Sequence, residues 1–133
     1  MNAQSVKALI VGGYAVAFHA KPRFTKDIDL FLEPNPDNAQ RLLRALNDFG
    51  FGAVDLAADD FTTPGRVVQL GIAPDRVDLM TAIDGVSFAD AWSGRVSGRF
   101  GAVPVFYIGK AELVRNKRAT GRAQDLADVE ALE

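Results

Sequence analysis

Residues 8–32 constrain this chain more than any other stretch. An apolar run, Ala8 to Val11, stops at Gly12-Gly13, Tyr14 to His19 follow with a helix-like pattern, and Pro22 breaks it. A second apolar run, Ile28 to Leu32, then begins with two carboxylates at alternate positions, Asp27 and Asp29. The predicted order is strand (Val6 to Val11), glycine turn, short helix, acidic strand. Side chains at i and i+2 of a strand leave the same face, so Asp27 and Asp29 are expected to point together. Two parallel carboxylates repel each other unless a cation lies between them or solvent screens them. The double glycine lets the backbone turn and come close to a ligand. A helix that starts behind it presents unbonded N–H groups and the positive end of its dipole, which favours phosphate.

Downstream, Asn35-Pro36 reads as an N-cap followed by proline at the first helical position, and Ala39, Leu42, Leu43, Leu46 and Phe49 recur at helical spacing until Gly50. Residues 51–65 read as a loop with one helical turn at most. Arg66 to Ile72 and Arg76 to Thr81 are extended runs around Ala73-Pro74-Asp75, a hairpin pattern that places Asp78 inside its second strand. Ser87 caps a short helix through Trp92, closed by Gly94. A second hairpin joins Arg95 to Phe100 with Val103 to Ile108, where Pro104 argues for an edge strand. Helices are predicted from Lys110 to Thr120, ended by Gly121, and from Ala123 to Leu132, with Leu126, Val129 and Leu132 on one face.

The three acids make one chemical set. Two carboxylates are too few for a hard divalent ion, which takes six or so oxygens. If the strand bearing Asp78 lies beside the one bearing Asp27 and Asp29, three carboxylates converge, with room for one or two ions of the kind that clamp the attacking and leaving oxygens of phosphoryl or nucleotidyl transfer. Taken singly, each feature has a plainer reading: an Asp-x-Asp pair is often only solvated, Gly-Gly is often only a turn, and Asp78 on an alternating strand can face water. Their joint occurrence in this order favours the site.

Lys110 and Lys117 fall seven residues apart on the stripe defined by Leu113 and Val114. Lys117 is a candidate triphosphate ligand or a side chain that snorkels past the core edge, and Lys110, at the helix start, is a bystander. Arg115, Arg118 and Arg122 extend the basic character and either meet an acceptor phosphate or pair with Asp125 and Asp128. Arg23, Thr25 and Lys26 crowd the site entrance, with Arg23 a candidate for a nucleotide phosphate or a partner for Asp27 and Asp29. His19, the single histidine, reads as a polar residue closing its helix more readily than as a general base, and Trp92 as core.

Composition narrows the classes. The 133 residues fit one domain, and 48% hydrophobic content supplies a real core. A formal charge of −2 leaves nucleic-acid affinity to a local patch. With no cysteine, disulfides and thiolate metal sites are excluded, and carboxylates are the natural ligands. No apolar run approaches the ~20 residues of a membrane span and no signal pattern opens the chain, so a cytoplasmic location is expected.

The run Val-Gly-Gly-Tyr-Ala-Val-Ala-Phe-His-Ala-Lys-Pro-Arg-Phe-Thr-Lys-Asp-Ile-Asp-Leu resembles the small bacterial nucleotidyltransferase-fold proteins related to AbiEii-type toxins and the minimal nucleotidyltransferases. Arg76-Val77-Asp78-Leu79 and the segment Lys110 to Leu132, with Asn116-Lys117-Arg118 and Asp125-Leu126-Ala127-Asp128, are similar to later parts of the same proteins, so the likeness spans nearly the whole chain. It implies a DNA polymerase beta-like α/β (α+β) fold, one domain over residues 1–133, with a mixed, mainly antiparallel sheet of about five strands and helices packed on it. It further implies Mg2+ held by Asp27, Asp29 and Asp78, a nucleoside triphosphate over Gly12 and Gly13, and a site completed by Lys117 and Asp125. Three departures are visible: Gly13 stands where several branches place a phosphate-contacting serine, Ala20 replaces a glycine, and the spacing from Gly13 to Asp27 is long. The short run before the first strand gives the expectation that a leading helix of the relatives is missing.

The expected function is Mg2+-dependent transfer of a nucleotidyl group from an NTP to a protein or RNA hydroxyl, in a toxin–antitoxin or defence pair. With no separate acceptor domain expected, the acceptor is a partner protein, an RNA or another copy of the chain, which keeps homo-oligomers open. Two other classes remain: a non-catalytic protein of this fold that binds a partner, and an RNA-binding module using Lys110, Arg115, Lys117, Arg118 and Arg122.

Overall fold

The computed structural model describes residues 6–20, 28–48, 58–63, 65–70, 77–100 and 103–133. Among them six strands form one sheet in the order β3-β4-β2-β1-β6-β5. The strands are β1 (Ala8–Val11), β2 (Ile28–Leu32), β3 (Val67–Leu70), β4 (Val77–Met80), β5 (Val96–Phe100) and β6 (Val103–Tyr107). The helices are α1 (Gly12–His19), α2 (Pro36–Asp48), α3 (Phe88–Ser93), α4 (Lys110–Thr120) and α5 (Ala123–Leu132), with a 3-10 turn at Ala58–Phe61.

The sheet is mixed with antiparallel joints in the majority, as expected, but it has six strands among the described residues instead of about five; β1–β2, β3–β4 and β5–β6 are antiparallel, and β1–β6 and β2–β4 are parallel. Every extended run is recruited, and the parallel joints arise where a helical crossover, rather than a tight turn, brings a later strand back to an earlier one. Pro104 is also placed differently from the edge position expected. β5 is the edge and β6 lies inside the sheet, between β1 and β5. Among the described residues the register of β1 with β6 runs through Ile10 and Tyr107, with Ile108 N–H donating to the Ile10 carbonyl, at the end of β6 away from Pro104.

Local chemistry sets the helix limits. The N–H of Asn38 donates to Asn35 Oδ1 at 2.8 Å, which caps α2 ahead of Pro36. Ser87 Oγ accepts from the N–H of Asp90 at 3.1 Å at the start of α3. Gly121 adopts φ 68°, and its N–H closes α4 on the Lys117 carbonyl before the chain turns into α5. α1 begins at the glycines themselves, two residues earlier than the apolar pattern suggests.

Two apolar clusters flank the sheet. One joins Leu9, Val11, Phe31 and Tyr107 to α1, α3, α4 and α5 through Ala15, Phe88, Leu113 and Leu132. The other packs Leu32, Leu70 and Leu79 against Ala39 and Leu42 of α2 and Phe61 of the 3-10 turn. Trp92 lies at the margin of the first, stacked on Phe88 at 5.7 Å with the Arg95 guanidinium 4.1 Å from its ring centroid, as a core-edge residue. Leu126 departs from the expected apolar face of α5: it is 49% exposed, whereas Asp125 and Asp128 share the buried side with Val129 and Leu132. The reason lies in α4, which presents a buried lysine to that side.

Candidate functional site

The floor of the site is one row of residues across the sheet. Val11 pairs with Asp29, Asp29 with Asp78, and Asp78 with Gln69. Direct partners on neighbouring strands share a face, and strands lie about 4.8 Å apart, so Asp29 and Asp78 are adjacent carboxylates on one side of the sheet. Asp78 Oδ1 is buried with no hydrogen-bond partner. An unmet acceptor of that kind costs about 1–3 kcal/mol, more when charged, and calls for a cation or a donor.

Gly12 completes this end. Its φ of 67° lies in the left-handed region, and a Cβ built on it would stand 2.2 Å from Asp29 Oδ2. Glycine is therefore required twice, for the backbone turn and for the space that the Asp29 carboxylate occupies. Gly12 and Gly13 open α1, whose first turn has neither a side-chain cap nor an acidic residue, and both glycines line the cleft.

The opposite wall is built by α4 and α5. Lys117 is buried, and its ammonium lies 3.2 Å from Asp125 Oδ1 and 3.2 Å from Asp128 Oδ2. Asp125 is saturated: Thr120 Oγ1 and Arg122 Nε each donate to Oδ2 at 2.7 Å, and Arg122 Nη2 and Lys117 Nζ donate to Oδ1 at 3.3 and 3.2 Å. The Arg122 hydrogen bond, helped by Thr120 and Lys117 and opposed by burial, holds the Asp125 carboxyl far below the usual carboxylate range. In return Asp125 pushes the Arg122 guanidinium up, and the Asp84 charge adds to this.

The rim comes from the chain leaving β4. Asn116 Nδ2 donates to the Asp84 carbonyl at 2.9 Å, and Arg115 Nη2 to the Gly85 carbonyl at 3.1 Å. Gly85, at φ 79°, lets α4 pass so close that a Cβ would stand 2.7 Å from Ala119 Cβ. Between floor, wall and rim lies a cleft of about 610 Å3, lined by Val11, Gly12, Gly13, Asp29, Met80, Asp84, Lys117, Arg122 and Asp125 among others.

Gly12, Gly13, Asp29, Lys117 and Asp125 thus meet in one cleft, and Asp78 stands beside Asp29, just outside its lining. Asp27, Arg23 and Thr25 lie outside the described residues. Among the described residues no three acidic or histidine side chains converge as a metal cage. His19 Nε2 donates to the Ile108 carbonyl at 2.6 Å, which ties the end of α1 to the chain leaving β6, and Lys110 is exposed. Asp84, Asn116, Thr120 and Gln124 line the cleft without having been expected there. Asp84 and Gln124 carry no sequence signal, while Thr120 is legible in retrospect as a hydroxyl one turn after Lys117 and five residues before Asp125. No helix among the described residues is long and apolar enough to cross a membrane.

Residues 1–133 match the model of a family described as nucleotidyltransferase of unknown function (DUF6036). No curated protein matches the chain at a significant level.

Proposed function

The chain belongs to this nucleotidyltransferase family, and from that premise we propose that the cleft transfers a nucleotidyl group from a nucleoside triphosphate to a hydroxyl of a protein or RNA, breaking the bond between the α- and β-phosphates and releasing pyrophosphate, with a divalent cation such as Mg2+ as cofactor. The observation that carries the reading is the pairing of Asp29 with Asp78, in which Asp78 Oδ1 is buried without a partner while a glycine makes room for Asp29. Hard carboxylate oxygens fit a divalent cation, and the buried Asp78 Oδ1 calls for one. Asp29 and Asp78 would hold it, joined by Asp27 at the entry to β2, and when bound it supplies charge neutralisation at the transferred phosphate.

The remaining chemistry belongs to the chain's own groups. The N–H groups of Gly12 and Gly13 at the start of α1 bind phosphate oxygens, and the helix dipole favours the negative charge there. Lys117, fixed by Asp125 and Asp128, places a positive charge behind the phosphates at the far wall. Arg23 and Thr25 are assigned to the entrance on the nucleotide side. Asp78, besides holding the cation, would help to take the proton of the attacking hydroxyl. The cognate setting we propose is a toxin–antitoxin or defence pair, in which the acceptor is supplied by another molecule.

The test is incubation of the protein with α-labelled NTPs, Mg2+ and a cell extract, beside Asp29→Asn and Asp78→Asn. Labelling of an acceptor by the wild type and its loss in both variants is the expected result. Equal labelling by all three proteins would remove the reaction from this site.

A further inference from the structure

Among the described residues that line the cleft, Lys117 and Arg122 are the two cations, and they stand in opposite situations. The Lys117 side chain is 9% exposed and lies between two buried carboxylates. Drawing it onto a phosphate would leave Asp125 and Asp128 as buried charges with a weakened partner, which costs several kcal/mol. The Arg122 side chain is 76% exposed. Its guanidinium spends Nε and Nη2 on Asp125, which leaves three of its five N–H donors for another ligand. Its plane is fixed, because the carboxylate that orients it is itself held by Thr120 and Lys117.

We propose that Arg122, and not Lys117, is the cationic side chain of the cleft that contacts phosphate directly, binding the polyphosphate of the donor nucleotide, with Lys117 as the buried charge that sustains it. This rests on the nucleotidyl-transfer reading and assigns a contact that the family likeness would give to Lys117. A planar donor fork held in advance suits phosphate oxygens at little ordering cost. The acids of the cleft set the orientation. Asp29 lies at the glycine end and Arg122 at the α4–α5 end, so a polyphosphate carrying a divalent cation is matched with its cation toward Asp29 and its free oxygens toward Arg122.

The experiment is calorimetric titration of the full chain with magnesium tripolyphosphate, which avoids any choice of base, on the wild type, Arg122→Ala and Arg122→Lys. Arg122→Ala is expected to weaken binding about 10- to 100-fold, the effect of one charge-assisted contact, and Arg122→Lys to recover part of it. Unchanged affinity in a folded Arg122→Ala overturns the proposal while leaving the nucleotidyl-transfer reading intact, whereas a wild type that binds no tripolyphosphate overturns both. A parallel titration with single-stranded RNA covers the other source of phosphate: loss of RNA affinity with tripolyphosphate affinity kept would place the acceptor backbone at Arg122 and defeat the assignment. Should Arg122→Ala fail to fold, phenylglyoxal modification of the wild type, mapped by mass spectrometry, decides the matter. Magnesium tripolyphosphate is expected to protect Arg122, and modification at an unchanged rate overturns the proposal.

Discussion

Asp29 and Asp78 are register partners across the parallel β2–β4 joint, and the Asp78 carboxylate keeps one buried oxygen without a partner. Like charges directly opposite on a sheet destabilise it. A cation bound between the two would turn that adjacency to advantage.

Asp78→Asn is expected to stabilise the metal-free protein and to abolish its response to metal. Removing one of two facing charges relieves about 1 kcal/mol, or about 4 °C in Tm for a chain of this size. Thermal unfolding with and without millimolar Mg2+ measures both effects. The wild type should gain stability with Mg2+ by mass action and the variant should not. An equal gain in the two proteins would show that the ion binds elsewhere.

Gly12→Ala should do the reverse, harming both fold and site. The left-handed backbone costs a non-glycine residue about 1–2 kcal/mol. The new methyl also meets Asp29 Oδ2 at 2.2 Å, so the carboxylate must leave its position. Chemical denaturation should show a loss of about 2 kcal/mol or more, and any Mg2+-dependent stabilisation should shrink with it. A variant of wild-type stability would mean that the α1 entry relaxes freely.

The elements of this fold were largely legible because their signals are local. The predicted limits of β2, α4 and α5 coincide with those observed, and the Asn35 cap and Gly121 stop act as their residue types dictate. The adjacency of Asp29 and Asp78 was legible only as a condition, since strand order is not encoded in periodicity. Pro104 shows the same gap: its missing donor suggests an edge strand, and only the strand order reveals that β6 lies inside the sheet. The α4–α5 wall is legible only in part for a different reason. The spacing puts Leu126 on the apolar face with Val129 and Leu132, whereas Asp125 and Asp128 take the buried side because Lys117 meets them from another helix.

Asp125 should make the stability of the protein depend on acid pH. Its carboxyl titrates far below ~3.9, the value expected in the unfolded chain, chiefly through the Arg122 hydrogen bond. The ionised group therefore contributes fully above about pH 4, and its contribution is lost as pH falls from there toward the folded value. Urea unfolding at pH 7 and pH 3 should show a drop in the wild type that is smaller in Asp125→Asn. At pH 7 that variant, which unbalances a buried ion cluster, should be about 3 kcal/mol less stable. Parallel pH profiles for the two proteins would contradict the arrangement.

Lys117 and Asp128 provide the last test, because their pairing separates a structural charge from a free ligand. If the ammonium is held in place by both carboxylates, Lys117→Met removes the cation that two buried acids share and should cost about 3–5 kcal/mol. Asp128→Asn removes one of those anions, so the loss in the double variant should be smaller than the sum of the single losses by at least ~1 kcal/mol. Equilibrium denaturation of the four proteins closes the cycle. Strict additivity would mean that Lys117 is not committed to Asp128, which would return it to the cleft as a direct phosphate ligand and weaken the case for Arg122. A strong coupling fixes Lys117 as the buried charge of the wall and leaves the exposed guanidinium as the group that meets the nucleotide.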